Sequence, residues 1–161
     1  MRPFESVVEE FGARVFRVCR AVVGPVDAED AWSETFLAAL GAYPRLAPGS
    51  DVSAWLVTIA HRKSIDILRA KSRAAIPIGD IPERPSAFGN PDAGRGELWG
   101  KVAALPERQR LAVAYHYLGG LPHAQTAELL GGSVESIRRA ASDGVAALRN
   151  FYVPDLDRRT S

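Results

Sequence analysis

The chain has 161 residues, of which 47% are hydrophobic and 24% are charged, and its formal net charge is +1. This composition predicts one domain or two small ones and excludes a disordered polymer. Because the net charge is small, any nucleic-acid binding must come from local basic patches.

The chain carries no recognisable signal for secretion or for membrane insertion. Its N-terminus is acidic and amphipathic, and no apolar run approaches the length of a membrane span. Cys19 is the single cysteine and lies among valines and a phenylalanine, so we expect a buried structural thiol. We therefore expect a cytoplasmic protein with no membrane insertion.

Three helices are predicted in an N-terminal domain, residues 1–73. The first covers roughly residues 3–23, where apolar side chains recur at helical steps and a Gly-Pro pair follows. The second begins near Asp27 with an acidic first turn. Four apolar residues form its predicted inner face: Trp32, Phe36, Ala39 and Leu40. The third helix runs from residue 52 to about residue 72.

The third predicted helix has a second stripe, whose members follow at steps of three or four residues and so share one face. The stripe consists of Trp55, Thr58, Arg62, Asp66, Arg69 and Arg73. An indole ring can stack on a base while arginines hold phosphates, which suits single-stranded nucleic acid. Positive charge nearby comes from His61, Lys63 and Lys71. The alternative, a core tryptophan beside a solvated basic face, stays open.

Residues 74–96 hold four prolines and four glycines, which predicts an extended tether rather than a helix. A second helical domain is predicted at residues 97–150, followed by a tail at residues 151–161. No β-rich run occurs in the sequence. The predicted fold class is therefore all-α, with two small helical domains joined by a Pro/Gly-rich linker and a helix-turn-helix in the second.

Residues 121–149 have the pattern of a helix-turn-helix. Ala127 is small enough for two helices to cross, Gly131 suits a turn with positive φ, and Ile137 closes the wedge between the helices. A preceding helix at residues 106–118 would support the second helix of the motif.

The second helix of this motif carries the residues that would meet DNA. Ser133 is a good N-cap, and both it and Ser136 can donate hydrogen bonds to phosphates. Arg138 and Arg139 lie in the first half of the helix and face outward, where base edges are reached. A small helical hairpin with solvated arginines is the alternative interpretation.

In combination, these segments resemble a bacterial RNA polymerase sigma factor of the extracytoplasmic-function (ECF) group. The matching segments, in chain order, are DAEDAWSETFLAAL, AWLVTIAHRKSIDILR and LPERQRLAVAYHYLGGLPHAQTAELLGGSVESIRRA. The resemblance implies a factor that binds core RNA polymerase, directs it to specific promoters and helps to melt the DNA. It implies three partners: the polymerase, through its largest-subunit clamp helices and flap region, promoter DNA, and an anti-sigma factor.

The resemblance also assigns roles to residues. The polymerase contacts would be Asp27, Glu29, Asp30, Ser33, Glu34 and Thr35. The contacts to the minus-ten element would be Trp55, Thr58, His61, Arg62, Lys63, Arg69, Lys71 and Arg73. The loop at residues 44–53 would capture an unstacked base of that element. The contacts to the minus-thirty-five element would be Ser133, Ser136, Arg138 and Arg139.

Two positions depart from the family's reading helix, which commonly carries further arginines where this chain has Ala140 and Asp143. The runner-up hypothesis is a helix-turn-helix regulator that acts without polymerase docking, and a third is a sigma-like protein that binds polymerase poorly. An enzyme is not expected, because His61, His116 and His123 lack metal-binding spacing and no phosphate loop or nucleophile motif occurs. We expect no metal and no cofactor.

Overall fold

The computed structural model describes residues 1–74 and 96–160. All regular structure in these two ranges is helical, which confirms the predicted all-α class. None of the helices in them is both long and apolar enough to cross a membrane. The predicted tether lies outside the described residues except for its two ends, Ala74 and Gly96.

The N-terminal block, residues 1–74, is built from three long helices. They are α1 Phe4–Val23, α2 Ala28–Ala42 and α3 Val52–Ala74, with a short 3-10 turn at Tyr43–Arg45 after α2. The bounds of the three helices are close to the predicted ones. All three contribute buried apolar side chains to one core, which fixes the outward faces of α2 and α3.

The predicted inner face of α2 is wrong at one residue. The centre of the buried stripe of this helix runs along Ala28, Ala31, Thr35 and Ala39. Leu40 follows Ala39 by one residue, a rotation of about 100° around the helix, and it is 53% exposed. The centre of this stripe is therefore made of small residues, and a large apolar side chain lies outside it.

The C-terminal block, residues 96–160, contains four helices. They are α4 Gly96–Ala104, α5 Glu107–Val113, α6 His123–Leu130 and α7 Val134–Thr160. The helix predicted at residues 106–118 is divided, because α5 is followed by a π-helical segment at Ala114–Leu118. The helix α7 continues through most of the predicted tail.

The two blocks share one hydrophobic core. The large cluster of buried side chains from α1, α2 and α3 continues into the C-terminal block. Its members there are Trp99, Val102, Leu111, Ala114, Tyr115 and Leu121. A second, smaller cluster lies inside the C-terminal block and consists of Ala112, Ala127, Ile137, Ala140 and Ala141. The blocks therefore pack against each other, and we call this packing the closed arrangement.

Tyr115 and Gly119 lie where the π-helical segment contacts α3. Tyr115 is 0% exposed, and its hydroxyl oxygen lies 2.6 Å from Nδ1 of His61. Burial above all, and then Cys19 nearby, raises the pKa of Tyr115, so the phenol stays protonated and shares a hydrogen bond with the imidazole. A Cβ added at Gly119 would lie only 3.1 Å from Cγ1 of Val57, so the two blocks approach closely here.

Cys19 is buried in the N-terminal block, as the sequence predicts. Burial raises the pKa of its thiol to about 12. At neutral pH the side chain is therefore a protonated thiol that packs as a small apolar group.

Candidate nucleic-acid interface

Three arginines form an exposed basic face along α3. Arg62, Arg69 and Arg73 are all exposed, and their spacing places them on one side of the helix. Trp55 is half-buried instead, with its ring centroid 6.3 Å from that of Tyr43 and its body packed against the core. The exposed part of the predicted stripe consists mainly of guanidinium groups, which suit contacts to phosphates.

Two other residues predicted to contact the minus-ten element are engaged within the protein. The hydroxyl of Thr58 donates to a carbonyl of its own helix at 2.9 Å. Nδ1 of His61 shares a hydrogen bond with the hydroxyl of Tyr115, and burial, then Arg62 and Arg69, lower the pKa of the imidazole. In the closed arrangement this nitrogen is engaged with the other block, and the contact of His61 with DNA stays a prediction.

The two lysines predicted as DNA contacts turn toward α2 rather than toward the arginine face. Lys63 Nζ lies 3.9 Å from a carboxylate oxygen of Glu34, and Lys71 Nζ lies 2.6 Å from one of Asp27. Each lysine is thus paired with a residue that the sequence assigns to polymerase binding. The predicted polymerase and DNA surfaces meet along this line of ion pairs.

A cavity of about 320 Å³ lies beside the loop between α2 and α3, and Tyr43 and Pro48 are among its lining residues. The Tyr43 hydroxyl donates to the carbonyl oxygen of Arg2 at 2.6 Å, which attaches the start of the chain to this wall. At the other end of the loop, Asp51 caps α3 by accepting a backbone N–H at 3.0 Å. The predicted base-capturing loop, residues 44–53, is therefore held at both ends and borders a cavity of suitable size for a base.

The acidic surface predicted on α2 is partly exposed. Asp30 and Glu34 are exposed, whereas Asp27, Glu29 and Ser33 are half-buried. Asp30, Ser33 and Glu34 line a groove of about 370 Å³ between α2 and α3. A partner that docks on α2 would therefore also reach the neighbouring side of α3.

The structure corrects the prediction that Thr35 contacts a partner. Its side chain is 0% exposed, and its hydroxyl donates to the carbonyl of Ala31 at 2.7 Å. Leu37 and Leu40 are 66% and 53% exposed. Leu37 follows Asp30 by two helical turns and so lies on the same face. Sequence reasoning missed both leucines, because an apolar residue in an amphipathic helix is expected inside.

The predicted helix-turn-helix is formed by α6 and α7. Gly131 ends α6 with φ +83°, a conformation that L side chains rarely adopt. Ser133 caps α7, because its Oγ accepts the backbone N–H of Ser136 at 3.0 Å. Arg138 and Arg139 are exposed on the following turns, as the sequence predicts.

Arg108 of α5 reaches this turn and was missed by sequence reasoning. Its Nη2 donates to the carbonyl oxygen of Gly131 at 2.7 Å and lies 3.3 Å from Oγ of Ser136. The Ser136 hydroxyl also donates to the carbonyl of Ser133 at 2.8 Å, so both serine side chains are already engaged in the cap. No local signal could have identified Arg108, since the turn lies more than twenty residues away along the chain.

The reading helix departs from the family pattern at Ala140 and at Asp143, and the two positions differ in their consequences for the surface of the helix. Ala140 is 9% exposed and belongs to the small core of the C-terminal block, so an arginine at this position would disturb packing rather than contact DNA. Asp143 is exposed, and within the described residues no ion pair joins it to Arg139. The departure at Asp143 is therefore the one that concerns the surface.

Two family models match the chain, Sigma-70 region 2 over residues 7–74 and Sigma-70 region 4 over residues 95–148. The ECF RNA polymerase sigma factor ShbA of Streptomyces griseus is 32% identical over 83% of this chain and 78% of its own. The ECF RNA polymerase sigma factor SigC of Mycobacterium tuberculosis is 30% identical over 96% of this chain and 85% of its own.

Two solved structures have a similar fold. The sigma factor RpoE of Bartonella quintana, in complex with the anti-sigma factor NepR, has a TM-score of 0.69 at 20% identity, over 91% of this chain and 94% of that chain. CnrH, in complex with the cytosolic domain of CnrY, has a TM-score of 0.62 at 23% identity, over 94% of this chain and 88% of that chain. At these identities the likeness concerns the fold alone.

Proposed function

The chain belongs to the extracytoplasmic-function group of RNA polymerase sigma factors, and from this premise we propose which of its surfaces carry out initiation. Such a factor binds core RNA polymerase, directs it to specific promoters and helps to melt the DNA. The observation that carries the assignment is the presence of both region 2 and region 4 in one chain. A helix-turn-helix regulator without polymerase docking would need only the second of them.

We propose that the exposed part of α2 docks on the clamp helices of the largest polymerase subunit. Asp30 and Glu34 supply carboxylates that can pair with polymerase arginines. Leu37 and Leu40 supply apolar contact area beside them. The border of this surface is formed by Asp27, Glu29 and Ser33. The lysine partner of Glu34 is displaced at little cost, since an exposed ion pair contributes little.

The docking surface is tested by charge reversal in the full chain. The double substitution Asp30→Lys and Glu34→Lys should weaken binding to core polymerase at least about tenfold, and runoff transcription should fall with it. Both side chains are exposed, so the free energy of unfolding should change little. Glu9→Lys, on an exposed position of α1, is the matched control. Equal binding by the double variant and wild type would show that this surface is wrong.

We propose that the arginine face of α3 holds the backbone of the melted minus-ten strand while the cavity beside residues 44–53 takes an unstacked base. Three guanidiniums can neutralise successive phosphates. Tyr43 lines the cavity, and its ring centroid lies 6.3 Å from that of Trp55, which precedes the three arginines on α3. Unstacking a base costs a few kcal/mol, which phosphate contacts and a closely fitting cavity can offset.

The salt dependence of binding to a minus-ten single strand tests this surface. Removing one arginine that neutralises a phosphate should reduce the slope of log K against log salt by about 0.7, so the triple variant Arg62→Ala, Arg69→Ala, Arg73→Ala should have a slope smaller by about two units. Arg149→Ala, an exposed arginine of the other block, should leave the slope unchanged. An unchanged slope in the triple variant would identify a solvated face.

We propose that α7 reads the minus-thirty-five element in the major groove. Arg138 and Arg139 would meet base edges. Arg108 would hold the turn and place a positive charge near the phosphates beside it. The flap region of the polymerase would contact the same block from outside the DNA surface.

We propose further that an anti-sigma factor binds this chain, as NepR and the CnrY domain bind its structural neighbours. The functional boundaries are residues 1–73 and 97–150, with a linker at residues 74–96 and a tail at residues 151–161. A factor that works on core polymerase acts in the cytoplasm. Sigma factors are in general not enzymes, and we assign no catalytic residue, metal or cofactor to the chain.

A further inference from the structure

A second cavity lies at the junction of the two blocks, away from the surfaces described above. Its volume is about 250 Å³, and α1 and α3 meet α4 and α5 around it. Most of its wall is apolar, from residues such as Val22, Leu68 and Val102. Its polar lining comes from Arg20, Trp99 and Arg110, and no carboxylate of the described residues lines it.

Each of the three polar residues that line the cavity carries a buried nitrogen donor without an acceptor among the described residues. Nε of Arg20, Nε1 of Trp99 and Nε of Arg110 are all buried without a hydrogen-bond partner in the described part of the chain. Trp99 is 9% exposed, so its indole N–H cannot be satisfied by bulk water. Cζ of Arg20 lies over the Trp99 ring, 5.1 Å from its centroid, a cation–π contact that does not use the Nε–H of the guanidinium. Buried donors of this kind normally have partners.

We propose that this cavity binds a small organic anion, a carboxylate or phosphate carried on a short apolar or aromatic group. Two guanidiniums and an indole N–H provide charge-assisted donors for the anionic head. The apolar wall receives the rest of the ligand, as in ordinary small-molecule sites. The proposal does not depend on the sigma-factor function.

The ligand would touch both blocks at once. Arg20 belongs to α1, whereas Trp99 and Arg110 belong to α4 and α5. A molecule that contacts all three binds the closed arrangement better than any separated one, and so shifts the population toward it. The site would therefore couple the presence of a metabolite to the closed arrangement.

Nuclear magnetic resonance of the 15N-labelled full chain tests the site, because three tryptophans give three indole N–H signals. The probes are 3-phenylpropionate and phenyl phosphate, which separate carboxylate from phosphate recognition, with neutral 3-phenylpropionamide as the matched control. The Trp99 indole proton should shift downfield and saturate with at least one anion. The Trp32 signal should stay in place, since its N–H already donates to Gly12 at 2.9 Å. Trp99→Phe assigns the signal.

Substitutions then separate an anion site from a purely apolar pocket. Arg110→Gln and Arg20→Gln should each weaken anion binding about tenfold, the usual effect of one charge-assisted hydrogen bond. Arg149→Gln, an exposed arginine of α7 outside the cavity, should bind as wild type does. Equal binding of the neutral amide, joint movement of all three indole signals, or unaltered affinity in both arginine variants would each overturn the proposal. If Arg20→Gln fails to fold, Arg110→Gln alone decides.

Discussion

The two blocks of this sigma factor differ in what holds them together. The N-terminal block is built from helices of 20, 15 and 23 residues whose large apolar side chains meet in one core. The core inside the C-terminal block contains five buried residues, and four of them are alanines around Ile137. Its large buried residues, Tyr115 and Leu121 among them, pack into the core of the other block instead. The DNA-reading block therefore depends on its neighbour for much of its stability.

Among the predicted changes, truncation of Tyr115 should lower the unfolding free energy most. Tyr115→Ala removes a fully buried aromatic ring from the shared core and should cost about 3–5 kcal/mol of unfolding free energy. Tyr115→Phe removes only the hydroxyl and should cost about 0.5–1.5 kcal/mol. Chemical denaturation measures both. Similar costs for the two variants would mean that the blocks are stabilised by separate cores.

Gly119→Ala should separate the blocks with a smaller loss of unfolding free energy than Tyr115→Ala. The new Cβ would lie 2.8 Å from the carbonyl oxygen of Tyr115 and 3.1 Å from Cγ1 of Val57, and overpacking of this kind costs about 1–3 kcal/mol. We expect a larger radius of gyration by small-angle scattering and a lower denaturation midpoint. Gly41→Ala is the control, because its added Cβ meets nothing within 4 Å. Unchanged scattering together with an unchanged midpoint in Gly119→Ala would argue against the closed arrangement.

Arg138→Ala should change promoter selectivity and leave stability intact, because Arg138 lies on the surface of the C-terminal block and not in its core. The side chain is exposed, so the unfolding free energy should change by no more than about 0.5 kcal/mol. The variant would lack the bidentate pairing to guanine that we propose for Arg138, so selectivity at a single minus-thirty-five position should relax by about 1–3 kcal/mol. Affinities for a panel of promoter variants measure it. Equal weakening across the whole panel would indicate a phosphate contact.

The smallest predicted effect is a pH dependence of the contact between the blocks. The pKa of His61 is lowered in the folded chain, first by burial, so folding favours the neutral imidazole. The neutral imidazole of His61 contributes fully to the free energy of unfolding when the pH is above the pKa of histidine in the unfolded chain, about 6.5. This contribution declines as the pH falls below that value. His61→Gln should therefore show a weaker loss of stability on acidification. His123, whose pKa is also lowered, leaves a residual dependence in that variant. Superimposable pH profiles would exclude His61 from the contact.

The parts of the site that depend on local pattern could be predicted from the sequence. Gly131 and Ser133 shape the turn through their own backbone and side chain, and the outward position of Arg138 follows from helical spacing. The apolar pattern places Leu40 on the wrong side of α2, because the centre of its buried stripe is made of small residues and hydropathy alone does not locate it. The family resemblance assigns Thr35 to the partner surface, whereas this residue belongs to the buried stripe. Thr35, the polar residue of this stripe, donates its hydroxyl hydrogen bond to the carbonyl of Ala31 in the same helix.

Other parts of the site depend on tertiary contacts that no local pattern encodes. His61 meets Tyr115 across 54 residues of sequence, and Arg108 meets Gly131 across 23. The lysines at positions 63 and 71 sit on the predicted basic stretch, yet carboxylates of α2 determine which way their side chains turn. The spacing of basic residues therefore identifies the exposed arginine face of α3. That the two lysines point toward α2 instead could be seen only in the packed structure.

The burial of Cys19 has a practical consequence. Its thiol is inaccessible and, with a pKa of about 12, carries almost no thiolate at neutral pH, so maleimide dyes should not label the native wild-type chain. A cysteine introduced on each block would then be labelled without background. Energy transfer between two such dyes would follow the opening and closing of the blocks in single molecules, on and off the polymerase.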